Sequence, residues 1–89
     1  MEVELIMIIV QNFTVGDNYY TMAITEGRKA FGIIITMLEN KPVYVEFMKF
    51  TDDGKDIVTV TELENPEEFK ELKDKYFEFA MEYIKAHTN

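Results

Sequence analysis

The sequence contains no cysteine and no serine, and its only histidine is His87. Without cysteine the chain forms neither a disulfide framework nor a thiolate nucleophile. The lack of both residue types excludes Ser-His and Cys-His nucleophilic catalysis. We place His87 in the last turn of a helix, where a cation suits the helix dipole. We therefore expect a protein that is not an enzyme, with no catalytic residues, no metal site and no cofactor.

Long apolar runs are also missing. No stretch approaches the roughly 20 apolar residues of a membrane-spanning helix. The apolar run over residues 5–10 lacks the basic flank and the small-residue cleavage site of a signal peptide. Together with the lack of cysteine, this leads us to expect a cytoplasmic protein with no membrane partner.

Basic residues are few: nine Lys and Arg stand against 17 Asp and Glu, which gives a net charge of −8. Such a chain repels phosphate backbones and anionic membranes at long range. Charge is carried mostly by Glu and Lys, and there is a single Gln, a mixture typical of thermophile proteins. We therefore expect a thermophilic source.

Apolar residues, in contrast, are plentiful for one small domain of residues 1–89. They make up 47% of the chain, and aromatic residues alone make up 13%. A chain of this length buries only roughly 60% of its unfolded surface. We expect either a core dense in aromatic rings or apolar surface that is kept for a partner.

The first two thirds of the chain, residues 1–64, has the pattern of an antiparallel sheet. Alternating apolar segments separated by short turns predict five strands, over residues 3–13, 19–25, 28–38, 43–50 and 57–63. The first segment is almost continuously apolar, which is typical of a strand covered on both faces, and it predicts a central position in the sheet.

Residues 65–87 have the pattern of a helix. Asn65 suits the N-cap, Pro66 suits the first helical position, and the spacing of Asn65 and Glu68 predicts a capping box. The apolar arc of this helix spans roughly 220°, far more than the roughly 100° that covers one sheet. A second copy would bury the excess, and we predict a dimer interface at Phe77, Met81 and Ile84.

The stretch TEGRKAFG, residues 25–32, has two interpretations. Arg28 and Lys29 are adjacent cations, which would suit an anion-binding loop. Phosphate-binding loops, however, lead from a strand into a helix N-terminus, and here both flanking segments are strands. Gly27 suits a hairpin turn because glycine adopts positive φ at little cost. We favour the turn.

Aromatic and basic residues of the predicted strands and turns could together bind single-stranded nucleic acid. Bases stack on exposed aromatic rings, and lysines track the backbone. The residues of this hypothetical surface are Arg28, Lys29, Lys41, Lys49, Lys55, Tyr19, Phe31 and Tyr44. The alternative interpretation is a set of core aromatics with solubilising lysines.

The run DIVTVTELENPEEFKELKDKYFEF, residues 56–79, resembles the end of the small single-stranded-DNA-binding transcriptional-coactivator family. Its last strand, an Asn65-Pro66-Glu67 turn and an amphipathic helix with Phe69 and Leu72 carry the resemblance. Upstream, residues 13–24 are similar to the opening pattern of that family. The resemblance implies an obligate dimer with a curved sheet that holds single-stranded nucleic acid.

Taken together, these patterns predict an α+β fold, a five-stranded antiparallel meander followed by one long C-terminal helix packed on the sheet. We expect a small homodimeric interaction module with an unidentified protein partner. The alternative is a single-stranded nucleic-acid-binding protein.

Overall fold

A computed structural model describes residues 7–51 and 53–88. Five antiparallel strands form one open sheet in the order β1-β2-β3-β4-β5, and a single helix follows them. The predicted α+β meander with a C-terminal helix is therefore confirmed. The elements are β1 Ile8–Val15, β2 Tyr19–Glu26, β3 Lys29–Leu38, β4 Lys41–Phe50, β5 Ile57–Val60 and α1 Pro66–His87.

The prediction that the first strand is central is wrong, because β1 lies at an edge and pairs only with β2. A meander adds its strands in chain order, so its first strand has no second neighbour. Val10 and Phe13 of β1 pack against the core, while Ile9 is exposed. A bulge between Val10 and Asn12 interrupts this edge, a common feature of edge strands. Residues 3–6 of the predicted strand lie outside the described residues.

The fifth strand ends at Val60, three residues earlier than predicted, because a turn forms directly after it. The backbone N–H of Asn65 donates to the carbonyl oxygen of Thr61 at 2.8 Å. The backbone N–H of Glu64 donates to the Thr61 hydroxyl at 3.1 Å. These two bonds satisfy the backbone locally and end the strand pairing.

Helix α1 begins at Pro66, with Asn65 as the N-cap, as the sequence indicates. The predicted capping box is wrong, because the Asn65 side chain makes no capping hydrogen bond. The carboxylate of Glu68 instead forms an ion pair with Lys49 of β4. A contact between residues distant in sequence thus replaces the local one.

The core lies between α1 and one face of the sheet. Ring contacts follow the helix across the strands: Phe69 meets Phe47 of β4 with centroids 5.7 Å apart, and Tyr76 meets Phe31 of β3 at 4.3 Å. Further along, Tyr83 meets Phe13 of β1 at 5.3 Å. The helix therefore crosses the sheet from β4 to the β1 edge. The buried apolar residues are Met22, Ile24, Phe31, Ile33, Ile35, Phe47, Val60, Phe69, Tyr76, Ala80 and Ile84.

The turn between β3 and β4 places two non-glycine residues in the left-handed region, Glu39 at φ 52° and Asn40 at φ 66°. A two-residue hairpin loop with positive φ at both positions is a type I′ turn, which favours Asn-Gly. We expect Glu39→Asn with Asn40→Gly to raise the free energy of unfolding by about 1 kcal/mol, because the left-handed conformation costs these residues less. Urea unfolding measures the change. Glu39→Gln removes the same charge and keeps the strain, so a gain in that control would contradict this explanation.

Candidate interaction surface

One face of the sheet has no helix on it, and we call it the open face. Directly paired residues of adjacent strands share a face. Ala23 of β2 pairs with Gly32 of β3, Gly32 pairs with Met48 of β4, and Met48 pairs with Thr59 of β5. These residues alternate with the buried residues that face α1, so they define the opposite side. Alternation along each strand assigns the remaining members of the open face.

The open face carries almost no charge. Among the described strand residues it carries only two side chains that are charged at pH 7, Glu46 and Lys41, although 29% of the whole chain is charged. Lys41 lies at the rim, at the tip of the β3–β4 hairpin. The polar side chains of the open face are chiefly threonines: Thr14, Thr21, Thr25, Thr36 and Thr59. A solvated sheet face ordinarily alternates charged residues with the core.

Large apolar side chains project from this face into solvent. Six of them are between 44 and 64% exposed: Ile9, Tyr19, Leu38, Tyr44, Phe50 and Ile57. Isolated apolar residues are normal on a protein surface, but a set gathered on one face indicates a contact surface.

The open face is apolar, and it is also uneven, with a depression beside protruding side chains. Ala23, Ala30 and Gly32 form the floor of a depression of about 260 Å³, which we call the small-residue groove. Along one side stand Met48, Phe50 and Ile57, which we call the apolar ridge. A Cβ atom at Gly32 would lie 3.0 Å from the Met48 methyl, so the Met48 side chain of the same copy lies close over this part of the groove.

The single carboxylate of the open face is paired with a phenol. The Tyr44 hydroxyl donates a hydrogen bond to Oε2 of Glu46 at 3.5 Å. The pKa of Tyr44 is raised above its ordinary value of 10.0, first by desolvation and then by the negative charge of Glu46. The pair partly satisfies Glu46 within the face, so that the carboxylate is not left wholly without a partner if the face is covered.

A second concave region, the hairpin-end cleft, lies on the helix side of the sheet. Its volume is about 610 Å³, and its cationic lining residues are Arg28, Lys29, Lys49 and Lys75. Two of these cations are already paired. Lys49 pairs with Glu68, and the Lys75 Nζ lies 3.0 Å from Oε1 of the buried Glu26. Glu71 adds a further carboxylate to the lining. Internal pairs thus largely compensate the charge of this cleft.

The turn favoured for TEGRKAFG is present at the mouth of this cleft. Glu26 pairs with Lys29 across a two-residue loop, and Gly27 has φ 61°. A positive φ at the first loop position alone is typical of a type II′ turn, where glycine is preferred. No helix follows the loop, so the geometry of a phosphate-binding loop is not formed.

The eight residues of the predicted nucleic-acid surface lie in different places. Tyr19 and Tyr44 are exposed on the open face, whereas Phe31 is buried beneath the helix. Arg28, Lys29 and Lys49 line the hairpin-end cleft on the other side of the sheet. Lys55 lies in the β4–β5 turn, and Lys41 lies in the β3–β4 hairpin at the opposite end of the strands. No single face gathers the basic residues with the aromatics between them.

The three residues predicted for the dimer interface also separate. Ile84 is only 4% exposed because it packs in the core of its own chain, so it has no surface to offer a partner. Phe77 and Met81 are half-buried on the flank of α1 and pack against the edge of that core. The wide apolar arc of the helix is thus absorbed largely within the chain. Most of the large apolar side chains that stay exposed lie on the strands, although Leu63, in the loop before α1, is 92% exposed.

We expect the buried Glu26 to make the fold sensitive to acid. Its carboxylate also accepts a hydrogen bond from the Tyr76 hydroxyl at 3.1 Å. The Lys75 hydrogen bond lowers the pKa of Glu26 below its ordinary value of 4.5, and this effect outweighs the opposing effect of burial. A pKa lowered by folding contributes stability that is complete above the unfolded value and is lost as pH falls through the folded value.

We therefore expect Glu26→Gln to destabilise the protein at pH 7 and to differ progressively less from the natural chain as the pH falls below about 4.5. Urea midpoints between pH 7 and pH 3 measure this difference. Glu78→Gln, at an exposed position of α1, is the matched control for loss of a carboxylate. A gap that stays constant with pH would contradict the role assigned to the ionised Glu26.

The open face is the main candidate site in the part of the chain that the structure describes. Within residues 7–51 and 53–88, no three acidic or histidine side chains are grouped to hold a metal ion. The one helix of this part of the chain is not apolar enough to cross a membrane. Comparisons with protein-family models, with curated proteins and with solved structures give no match.

Proposed function

We propose that the protein is a non-enzymatic, homodimeric interaction module, and that two copies associate through their open faces. The observation that carries this proposal is the almost uncharged, apolar open face in a chain that otherwise has abundant charge. Covering it removes exposed apolar side chains from water, which is the main favourable term in protein association.

The size of the open face matches what a stable dimer needs. Adjacent strands lie about 4.8 Å apart and rise about 3.3 Å per residue, so five strands of about eight residues give roughly 600 Å² of projected area. Protruding side chains make the accessible area larger than the projection. A standard interface buries roughly 800 Å² per partner. Two open faces therefore supply an interface of ordinary size, and the product is a sandwich with a helix on each outer side.

The distribution of charge fits the same arrangement. Many of the acidic side chains lie on α1, where Glu67, Glu71, Glu78 and Glu82 are exposed. In a sheet-to-sheet dimer these groups lie on the outer surfaces, far from the partner. The remaining repulsion between two chains of net charge −8 is long-range, and salt screens it. We therefore expect association to strengthen with ionic strength.

The nucleic-acid alternative has less support. Its basic and aromatic residues are divided between two faces, and two of the four cations of the hairpin-end cleft are paired with carboxylates. Binding to single strands depends on a basic surface that follows the phosphates. The resemblance of residues 56–79 to the coactivator family stays a prediction.

Sedimentation equilibrium on the natural chain tests the proposal. We expect a dimer at micromolar concentrations, tighter at 0.5 M than at 0.05 M salt. A monomer at 100 µM in both buffers would overturn it. Fluorescence anisotropy with labelled single-stranded DNA and RNA provides the second arm. Binding that weakens steeply with salt would favour the nucleic-acid function over this one.

A further inference from the structure

We infer that the open face is self-complementary: the apolar ridge of each copy occupies the small-residue groove of the other. The inference rests on the proposed function, because it names how the two open faces meet. It predicts one particular two-fold axis and a short set of contacts between the copies.

The position of the axis follows from the order of the strands. The groove floor belongs to β2 and β3, and the ridge belongs to β4 and β5. Groove and ridge therefore lie side by side, on either side of the line between β3 and β4. A two-fold axis parallel to the strands and above that line places the groove of each copy opposite the ridge of the other. In a two-fold interface each such contact occurs twice.

The register then gives the facing residues. Such an axis places β3 of one copy over β4 of the other, and β2 over β5. Because the axis is parallel to the strands, each residue keeps its position along the strand direction. Met48 of one copy faces Gly32 of the other, because these two residues pair within one sheet. Two residues further along the strands, the same register sets Phe50 opposite Ala30. At the outer strands Ile57 faces Thr25. Each of these three large side chains thus meets a smaller one, as interdigitating sheets require, whereas the same register sets Ile34 opposite Glu46.

Side-chain exposure supports the same fit. Phe50 and Ile57 are 53% and 63% exposed in the single chain, which leaves half or more of each side chain for burial by a partner. Met48 leans over Gly32 of its own chain and would have to share the groove with the incoming ridge. A methionine side chain is flexible enough to adjust to that contact. The alternative of ridge against ridge would keep the sheets apart and leave both grooves empty, which cannot match the packing density of protein interiors.

Isotope-filtered NOE spectroscopy on an equal mixture of ¹³C-labelled and unlabelled natural chain tests the contact directly. The filter removes contacts within one chain, so no substitution is needed. We expect cross-peaks between the Phe50 ring of one copy and the Ala30 methyl of the other, and between the Met48 methyl and the Gly32 α-protons. The Ile57 methyls should also contact Thr25 of the other copy.

The outcomes separate this inference from the proposed function. A protein that stays monomeric by sedimentation overturns both the inference and the proposed function. A dimer whose filtered cross-peaks involve Phe77 and Met81 has its interface on the helix, and it overturns the inference and the open-face assignment together. A dimer whose cross-peaks join ridge to ridge, or place Ile9 or Leu38 at the centre, retains the open face and overturns only the ridge-in-groove fit.

Discussion

Replacing Phe47 by alanine should reduce the free energy of unfolding by about 3–5 kcal/mol, the range for a buried phenylalanine in a well-packed core. The Phe47 side chain is 0% exposed. It pairs with Ile33 on one side and Val60 on the other, and the Phe69 ring meets it from the helix. No single neighbour can move to fill the space, because each is held by its own strand or helix.

A loss of this size is a large share of the roughly 5–15 kcal/mol that stabilises an ordinary domain. For a chain of this length we expect the melting temperature to fall by about 4–8 °C per kcal/mol. Urea unfolding at several protein concentrations, with extrapolation to high dilution, separates the loss within one chain from any loss of association.

Phe50→Ala is the matched control for this variant, because it deletes the same side chain from the same strand on the open face. We expect it to cost under about 1 kcal/mol at high dilution, as is usual for exposed positions. The two variants together test which face of β4 holds the core. Equal losses from both at high dilution would show that the helix does not define one buried side of the sheet.

The sequence predicts the two-layer arrangement because its strongest patterns are periodic. In β2 and β3 the residues Met22, Ile24, Ile33 and Ile35 recur at every second position, and all four are buried. The helix is equally clear because Asn65-Pro66 begins it and its apolar spacing continues for 22 residues.

Elements that depend on distant partners are predicted less well. The apolar run of β1 resembles a central strand, but the order of strands in a sheet is a property of the whole chain. The Asn65–Glu68 spacing resembles a capping box, but Lys49 of β4 binds the Glu68 carboxylate. Neither outcome is encoded within a short window of sequence.

The sequence indicates the two-sided apolar character of the strands, but it does not lead us to assign the interface to one face of the sheet. The signal of the open face is visible in retrospect, since Ala23, Gly32 and Thr36 alternate with the core residues and almost no charged residue takes their place. The excess apolar character of the third strand does indicate a covered second face. Because the apolar arc of the helix is wide, the sequence instead predicts the interface at Phe77, Met81 and Ile84.

Replacing Ala23 by arginine should weaken association of the copies by about 100-fold or more while leaving the chain folded. Ala23 forms part of the groove floor on β2, with Gly32 as its paired neighbour. In a single chain the long arginine side chain can extend along the groove and keep its guanidinium in water. In the proposed dimer the same side chain would occupy the space that the partner's ridge needs, and its charge would be buried without a counter-ion. Breaking or omitting the partner of a buried charge costs several kcal/mol, and each 1.4 kcal/mol is tenfold in the dissociation constant.

Ala86→Arg is the control for this last variant, because it makes the same substitution at an exposed position in the final turn of α1. Sedimentation equilibrium gives the dissociation constant of each variant, and circular dichroism gives its fold and melting temperature. We expect the Ala86 variant to dimerise as the natural chain does, since its added charge stays in solvent. An Ala23 variant that remains folded and dimerises with undiminished affinity would show that the groove is not covered by a second copy. Equal weakening of association in both variants would instead attribute the effect to net charge. Each substitution raises the charge of the chain by one unit, but only Ala23→Arg lies on the open face.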